Sequence, residues 1–329
     1  MFKYMLTPML YLFLCMIIGF LLRKSNILPE NSGKVMAKLE TWVFCPALNF
    51  MTMAIYCKPS TFSMHATNML LSLSLLCFAL IIAIFLAKAF VRQPCYERGV
   101  YSYALMFGNF GFLGNSLVLA AFGDSMLAYY SLFTLPLSIA CYVWGINVLV
   151  PKEAGDKGFK SAMKGIFTPP TVALLLGILA GLTEVLDYFP EFLITTLDGM
   201  KACMSPVAML LAGFTIASYP FLGMLMKKKV YVATALRLII LPVIMLTLLF
   251  GMMKIAAGFG VCVDKNVLFF AFFAYAAPLG LNTVVFPEAY GGNPETGASM
   301  AMISHTLCVL TIPALYALMV IIFGEPILV

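Results

Sequence analysis

The strongest constraint on this chain is an apolar stretch with a polar middle. From Tyr101 to Phe122 it reads YSYALMFGNFGFLGNSLVLAAF, without a charged residue. At about 20 residues such a run can cross a bilayer. Its centre, however, holds Gly108, Asn109, Gly111, Gly114, Asn115 and Ser116. Each glycine weakens a helix interior by about 1 kcal/mol relative to alanine, and Asn and Ser side chains compete for backbone hydrogen bonds. A break at that depth survives only where it is buried in protein or lines a wet cavity. The stretch is therefore expected to be a discontinuous helix whose halves meet near the membrane midplane. Ala276 to Gly292, AAPLGLNTVVFPEAYGG, repeats the pattern with Gly280, Asn282 and Thr283, and adds Pro278 and Pro287. Two interrupted spans at matching places in two halves point to a transporter's binding site.

The rest of the chain fits a membrane setting. Of 329 residues, 63% are hydrophobic and 10% charged, with a mean hydropathy of +1.01. That leaves too little polar side chain to cover a water-facing surface, so the expected fold is an all-α polytopic membrane protein. Ten spans are expected, near 4–22, 40–56, 67–91, 99–122, 125–150, 167–186, 202–220, 230–251, 266–290 and 297–323. The first is longer than the apolar core of a signal peptide, and Arg23-Lys24 stand where a cleavage site of small residues would be.

Most of the 20 basic residues fall in alternate loops: Arg23 to Lys38, Lys88 to Arg98, Lys152 to Lys164, and Lys227 to Lys229. The opposite loops carry Glu184, Asp187 and Glu191. The positive-inside rule then puts both termini outside a cell membrane, plasma or inner, and an even span count agrees. The net charge of +6 marks orientation rather than nucleic-acid binding.

A polar linker at 151–165 divides the chain into 1–150 and 166–329, with five expected spans on each side. An odd number per half forces opposite orientations, which gives two inverted five-helix repeats with broken spans four and nine. Phe44 to Asn49 and Cys203 to Ala208 carry Pro46 and Pro206 at similar places in spans two and seven. Nine cysteines are scattered singly without metal-ligand spacing and read as small hydrophobes.

These residues carry a family resemblance. The string M-F-G-N-F-G-F-L-G-N-S-L-V-L-A-A-F-G, with W-G at Trp144, resembles the fourth-span signature of the auxin efflux carrier family. That family includes bacterial permeases for small organic anions and plant PIN-type auxin carriers. The second half is similar through A-A-P-L-G-L-N-T-V-V-F-P-E-A-Y-G-G and through S-H-T-L-C-V-L-T-I-P, which ends at Pro313. The resemblance implies a substrate site where spans four and nine cross, and a division into scaffold and transport domains related to bile-acid sodium symporters. It also implies departures. Ser116 stands where the family usually has proline, Gly292-Asn293 where Gly-Asp is frequent, and His305 where a small or hydroxyl residue is common.

The expected substrate-binding residues are Asn109, Gly114, Asn115, Ser116, Pro278, Gly280, Asn282 and Thr283. A buried amide needs partners, and the half-helix N-termini offer free N–H groups that suit a carboxylate. Pro46, Asn49, Ser205, Arg237 and His305 are candidates for substrate contact or ion coupling. Arg237 would either snorkel to the interface or act as counter-charge to an anion. His305 would be a hydrogen-bonded interior residue or a proton carrier. Asp198 and Lys201 are spaced for an interfacial ion pair.

The expected function is a secondary active transporter moving a small organic anion, a carboxylate or dicarboxylate, by alternating access. An anion channel or uniporter is the alternative, and a membrane-embedded enzyme a more distant one, since no Walker motif, H-E-x-x-H or G-x-S-x-G is present. No catalytic residue, metal or cofactor is expected beyond a coupling ion, Na+ or H+. The expected partners are the organic anion and the lipid bilayer, with a homodimer allowed for and no nucleic acid.

Overall fold

The computed structural model describes residues 2–93, 95–149, 167–219, 227–261, 263–290 and 292–327; the expected linker at 151–165 lies outside them. The described residues are all-helical and contain no β-strand beyond one isolated bridge. The first half runs α1 (Phe2–Lys24), α2 (32–56), α3 (Phe62–Phe90), α4 (Tyr96–Met106), α5 (110–122) and α6 (124–143). A short helix, Gly145–Leu149, follows. The second half runs α7 (Pro169–Thr183), α8 (Glu191–Ala217), α9 (Lys228–Gly258), α10 (Asn266–Ala276), α11 (Asn282–Tyr290) and α12 (Glu295–Phe323).

Among the described residues, six helical stretches are long and apolar enough to cross a membrane: Phe2–Lys24, Ala66–Phe90, Phe110–Cys141, Glu191–Ala217, Lys228–Gly258 and Glu295–Phe323. Pro169–Thr183 and Asn266–Ala276 are shorter apolar helices. Hydropathy misplaces some ends. Span seven is expected to start at 202, yet α8 begins at Glu191, because helical hydrogen bonding continues through residues too polar for the bilayer core. Among the described residues, three helices carry a π-helical turn, at Glu40–Phe44, Phe110–Gly114 and Leu236–Ile240.

Two packed groups result. In one, α1 lies along α8, and α2 packs on α7 and α8. The backbones of α1 and α8 touch: a Cβ at Gly19 would overlap the Leu210 carbonyl, and one at Gly213 the Met16 carbonyl. Small residues permit such close approach in membranes, where dispersion contacts replace the hydrophobic effect between helices. In the other group, α3 packs on α4 and α6, α9 on α10, and α12 on the first turns of α9. The groups meet where α1 contacts α12 and where α2 contacts α6. Leu10, Leu14 and Leu21 on α1, and Phe78, Ile81 and Phe85 on α3, face outward, as lipid contact requires.

Candidate functional site

The two broken helices pass each other through their breaks. Asn109 N–H donates to Pro278 O at 2.6 Å, and Gly280 N–H to Phe107 O at 3.3 Å, pairing Gly108 with Leu279 in antiparallel sense. Main-chain groups that neither half-helix can satisfy are thus satisfied by the other break, as a low-dielectric setting demands. Gly108 is required there, since a Cβ would overlap Arg237 Nη2 and lie 2.7 Å from Ala277 O. Ser304 adds a further tie by accepting from Leu279 N–H at 3.1 Å.

Arg237 is only 1% exposed and sits behind this crossing. Its Nη1 donates to Leu105 O and Met106 O at 3.1 and 3.3 Å, its Nη2 to Ala274 O at 3.2 Å, and its Nε to Ala277 O at 3.3 Å. The guanidinium therefore caps the C-terminal ends of both α4 and α10, the ends where helix dipoles place negative charge. Neither expected role for Arg237 describes these contacts: the side chain does not reach an interface, and it does not line the cavity.

That cavity, about 280 Å³, opens on the other side of the crossing. Its volume is at the low end for ligand sites and suits a small molecule. Phe110 to Phe112 and Gly280 to Asn282 line it, so the N-termini of α5 and α11 both face it. The leading N–H groups of a helix have no intrahelical acceptor. Four amides, Asn49, Asn109, Asn115 and Asn282, also line it, and no charged side chain does among the described residues.

The amides are not equivalent. Asn49 Nδ2 donates to Pro170 O at 3.0 Å. Asn109 Nδ2 lies 3.0 Å from His305 Nε2, while His305 Nδ1 lies 2.8 Å from Ala301 O. A carbonyl can only accept, so Nδ1 carries the ring proton, and Nε2 accepts from Asn109. Both N–H groups of Asn282 are spent, on Tyr103 Oη and Cys141 Sγ. Asn115 is different: its Oδ1 is buried with no hydrogen-bond partner among the described residues.

The other expected residues support the crossing rather than the wall. Ser116 Oγ donates to Phe112 O, and Thr283 Oγ1 to Gly280 O. Gly114 makes room for the Tyr130 hydroxyl, which donates to Phe110 O. Pro278 supplies the carbonyl for Asn109 N–H. Pro46 and Ser205 are not among the cavity-lining residues, and Ser205 packs by Met204. The helix break falls upstream of Ser116, at Phe107 to Asn109, and the chain from Phe110 is helical. Lys201 pairs with Asp124 across helices at 2.7 Å, not with Asp198.

The cavity also draws on residues not singled out from the sequence. Thr134, Ser138 and Cys141 form one stripe on α6, and Thr41 and Cys45 extend Asn49 on α2. Their spacing, three or four residues within apolar spans, is the signal that would have found them.

A family model described as membrane transport protein matches residues 4–316. An uncharacterised transporter from Methanocaldococcus jannaschii is 24% identical over 211 residues, covering 63% of this chain and 68% of that protein.

Proposed function

Since the chain belongs to the membrane transport protein family of the auxin efflux carriers, we propose that it is a secondary carrier for a small organic anion. The family consists of membrane transporters, not enzymes, and the chain is a multi-pass membrane protein. The reading rests on one observation above all: two half-helix N-termini open onto one cavity that has no charged side chain among the described residues. Main-chain N–H groups and the positive ends of α5 and α11 suit a carboxylate without a fixed cation.

Sidedness supports alternating access in an inverted ten-span arrangement. The cavity-lining stretches of α2, α6, α7 and α8 lie toward helix ends joined by the basic loops. By the positive-inside rule that side is cytoplasmic, both termini are outside, and this conformation faces inward. Toward the opposite side, Lys201–Asp124 and the Tyr4 hydroxyl on Ala121 O tie the two helix groups together. A channel would need a polar path through both sides, so a carrier fits better.

The test is counterflow in proteoliposomes. Preloaded carboxylate should accelerate uptake of labelled carboxylate, and imposed Na+ or H+ gradients should show which ion, if either, drives accumulation. Flux without counterflow would make the protein a channel.

A further inference from the structure

The polarity of the cavity limits what the anion can be. One wall accepts hydrogen bonds. Thr134 Oγ1 donates to Tyr130 O at 3.0 Å and Ser138 Oγ to Thr134 O at 3.1 Å, so each hydroxyl proton is spent on its own helix and a lone pair remains. Asn282 joins this wall through its contact with Cys141, and its two N–H groups are spent, leaving Oδ1 as its free function. The other wall donates. It holds the N-terminus of α5, where a Cβ at Gly111 would meet nothing within 4 Å; beside it Asn115, 7% exposed, has an amide oxygen without a partner among the described residues, an acceptor that counts with the accepting groups. No cationic side chain lies between them among the described residues.

We propose that the substrate is a monocarboxylate that also carries a hydrogen-bond donor, a hydroxyl or protonated amine, and that dicarboxylates are disfavoured. The carboxylate sits against the α5 N-terminus. The donor faces Thr134, Ser138, Asn282 and the amide oxygen of Asn115. A second carboxylate would meet acceptor oxygens in a site with no counter-charge, where like partial charges repel and desolvation is uncompensated. A plain alkyl acid would strand those acceptors without a donor. The inference rests on the carrier reading and narrows it.

The test uses the full chain in proteoliposomes, with competition against counterflow by propionate, lactate, alanine and malonate, and by the same head groups on a phenyl-bearing skeleton. Within at least one series, the hydroxy or amino acid should compete about ten-fold or more better than the plain acid, with the dicarboxylate weakest. Ser138→Ala, which deletes one acceptor, should narrow that preference. A dicarboxylate equal to or better than the hydroxy acid, a plain acid equal to it, or a preference untouched by Ser138→Ala overturns the inference while leaving the carrier reading standing. Absence of counterflow with every compound overturns the carrier reading, and the inference with it.

Discussion

Arg237→Met removes a guanidinium that holds four main-chain carbonyls at the ends of two half-helices while keeping an unbranched apolar stem. The magnitude can be worked from the contacts. Hydrogen bonds to a charged group contribute about 1.5–3 kcal/mol each, so the four contacts to Leu105, Met106, Ala274 and Ala277 amount to roughly 6–12 kcal/mol gross. Burying the cation costs several kcal/mol, which leaves a modest net gain for the native arrangement. Deleting one side of such a buried network is another matter, because carbonyls lose their donor in a place water does not reach. Arg237→Met should therefore destabilise by about 3–5 kcal/mol. Arg237→Lys keeps the charge, but a single ammonium cannot span both helix ends as the planar fork does; it should lie between, at roughly 1–3 kcal/mol. Unfolding of the purified protein in detergent, by heat or by denaturing surfactant, measures this order. The reasoning is refuted if Arg237→Met unfolds within about 1 kcal/mol of wild type. It is also refuted if that variant stays stable but loses discrimination between anions and neutral ligands, which would make Arg237 a substrate group.

The same geometry makes Gly108→Ala a mimic of losing Arg237, since the new methyl group takes the space of Nη2; Gly111→Ala, with open space, should unfold nearly as wild type does. At Asn282, transport of an anion should fall in the order wild type, Ala, Asp at neutral pH, because Asp adds like charge on the accepting wall; an Asp variant as active as wild type would remove Asn282 from the site. Asp124→Asn should raise reactivity toward an external thiol reagent of a cysteine placed in the cavity, such as Thr134→Cys, and pairing the reversals Asp124→Lys and Lys201→Asp should restore wild-type labelling; unchanged labelling in Asp124→Asn means that the ion pair does not hold the outer side shut. For topology, cysteines at Lys58 and Glu191 should be labelled from outside and one at Lys228 should not; external labelling at Lys228 reverses the orientation.

The broken spans were legible because an uncharged run with Gly, Asn and Ser at its centre has few structural solutions in lipid. Arg237 was not, and the reason is local. Distance along a helix follows from residue count, whereas the direction a side chain takes depends on turn geometry. The π turn at Leu236–Ile240 inserts an extra residue per hydrogen-bonded ring, which shifts every face after it. The π turn at Glu40–Phe44 has a similar consequence: Glu40 is fully buried, with neither carboxylate oxygen hydrogen-bonded among the described residues, while Trp42 faces outward. Hydropathy alone places no carboxylate there. Lys201 shows a second limit. Asp198 is its neighbour in sequence, but Asp124 reaches it from α6 because the helices pack closely enough for a direct contact. Tertiary proximity, not spacing along one helix, selects the partner.

The crossing sorts four helix ends by sign, and that sorting bears on why a carrier would be built this way. The C-terminal ends of α4 and α10, each worth about half a negative charge, point to a single permanent cation that the protein itself supplies. The N-terminal ends of α5 and α11, each worth about half a positive charge, are left to the cavity and to whatever anion enters it. Were Arg237 in the cavity instead, a full cation would face the anion where screening is weak, and the attraction could reach several kcal/mol at a contact distance. Such a site would bind tightly and release slowly. Partial charges carried on main-chain N–H groups bind more weakly, and they are fixed by the same hydrogen bonds that hold the two breaks together. A carrier must let go on each cycle. Spending its one deeply buried arginine on the helix ends, and leaving only dipoles and amides for the substrate, is an arrangement that holds the fold firmly and the ligand loosely.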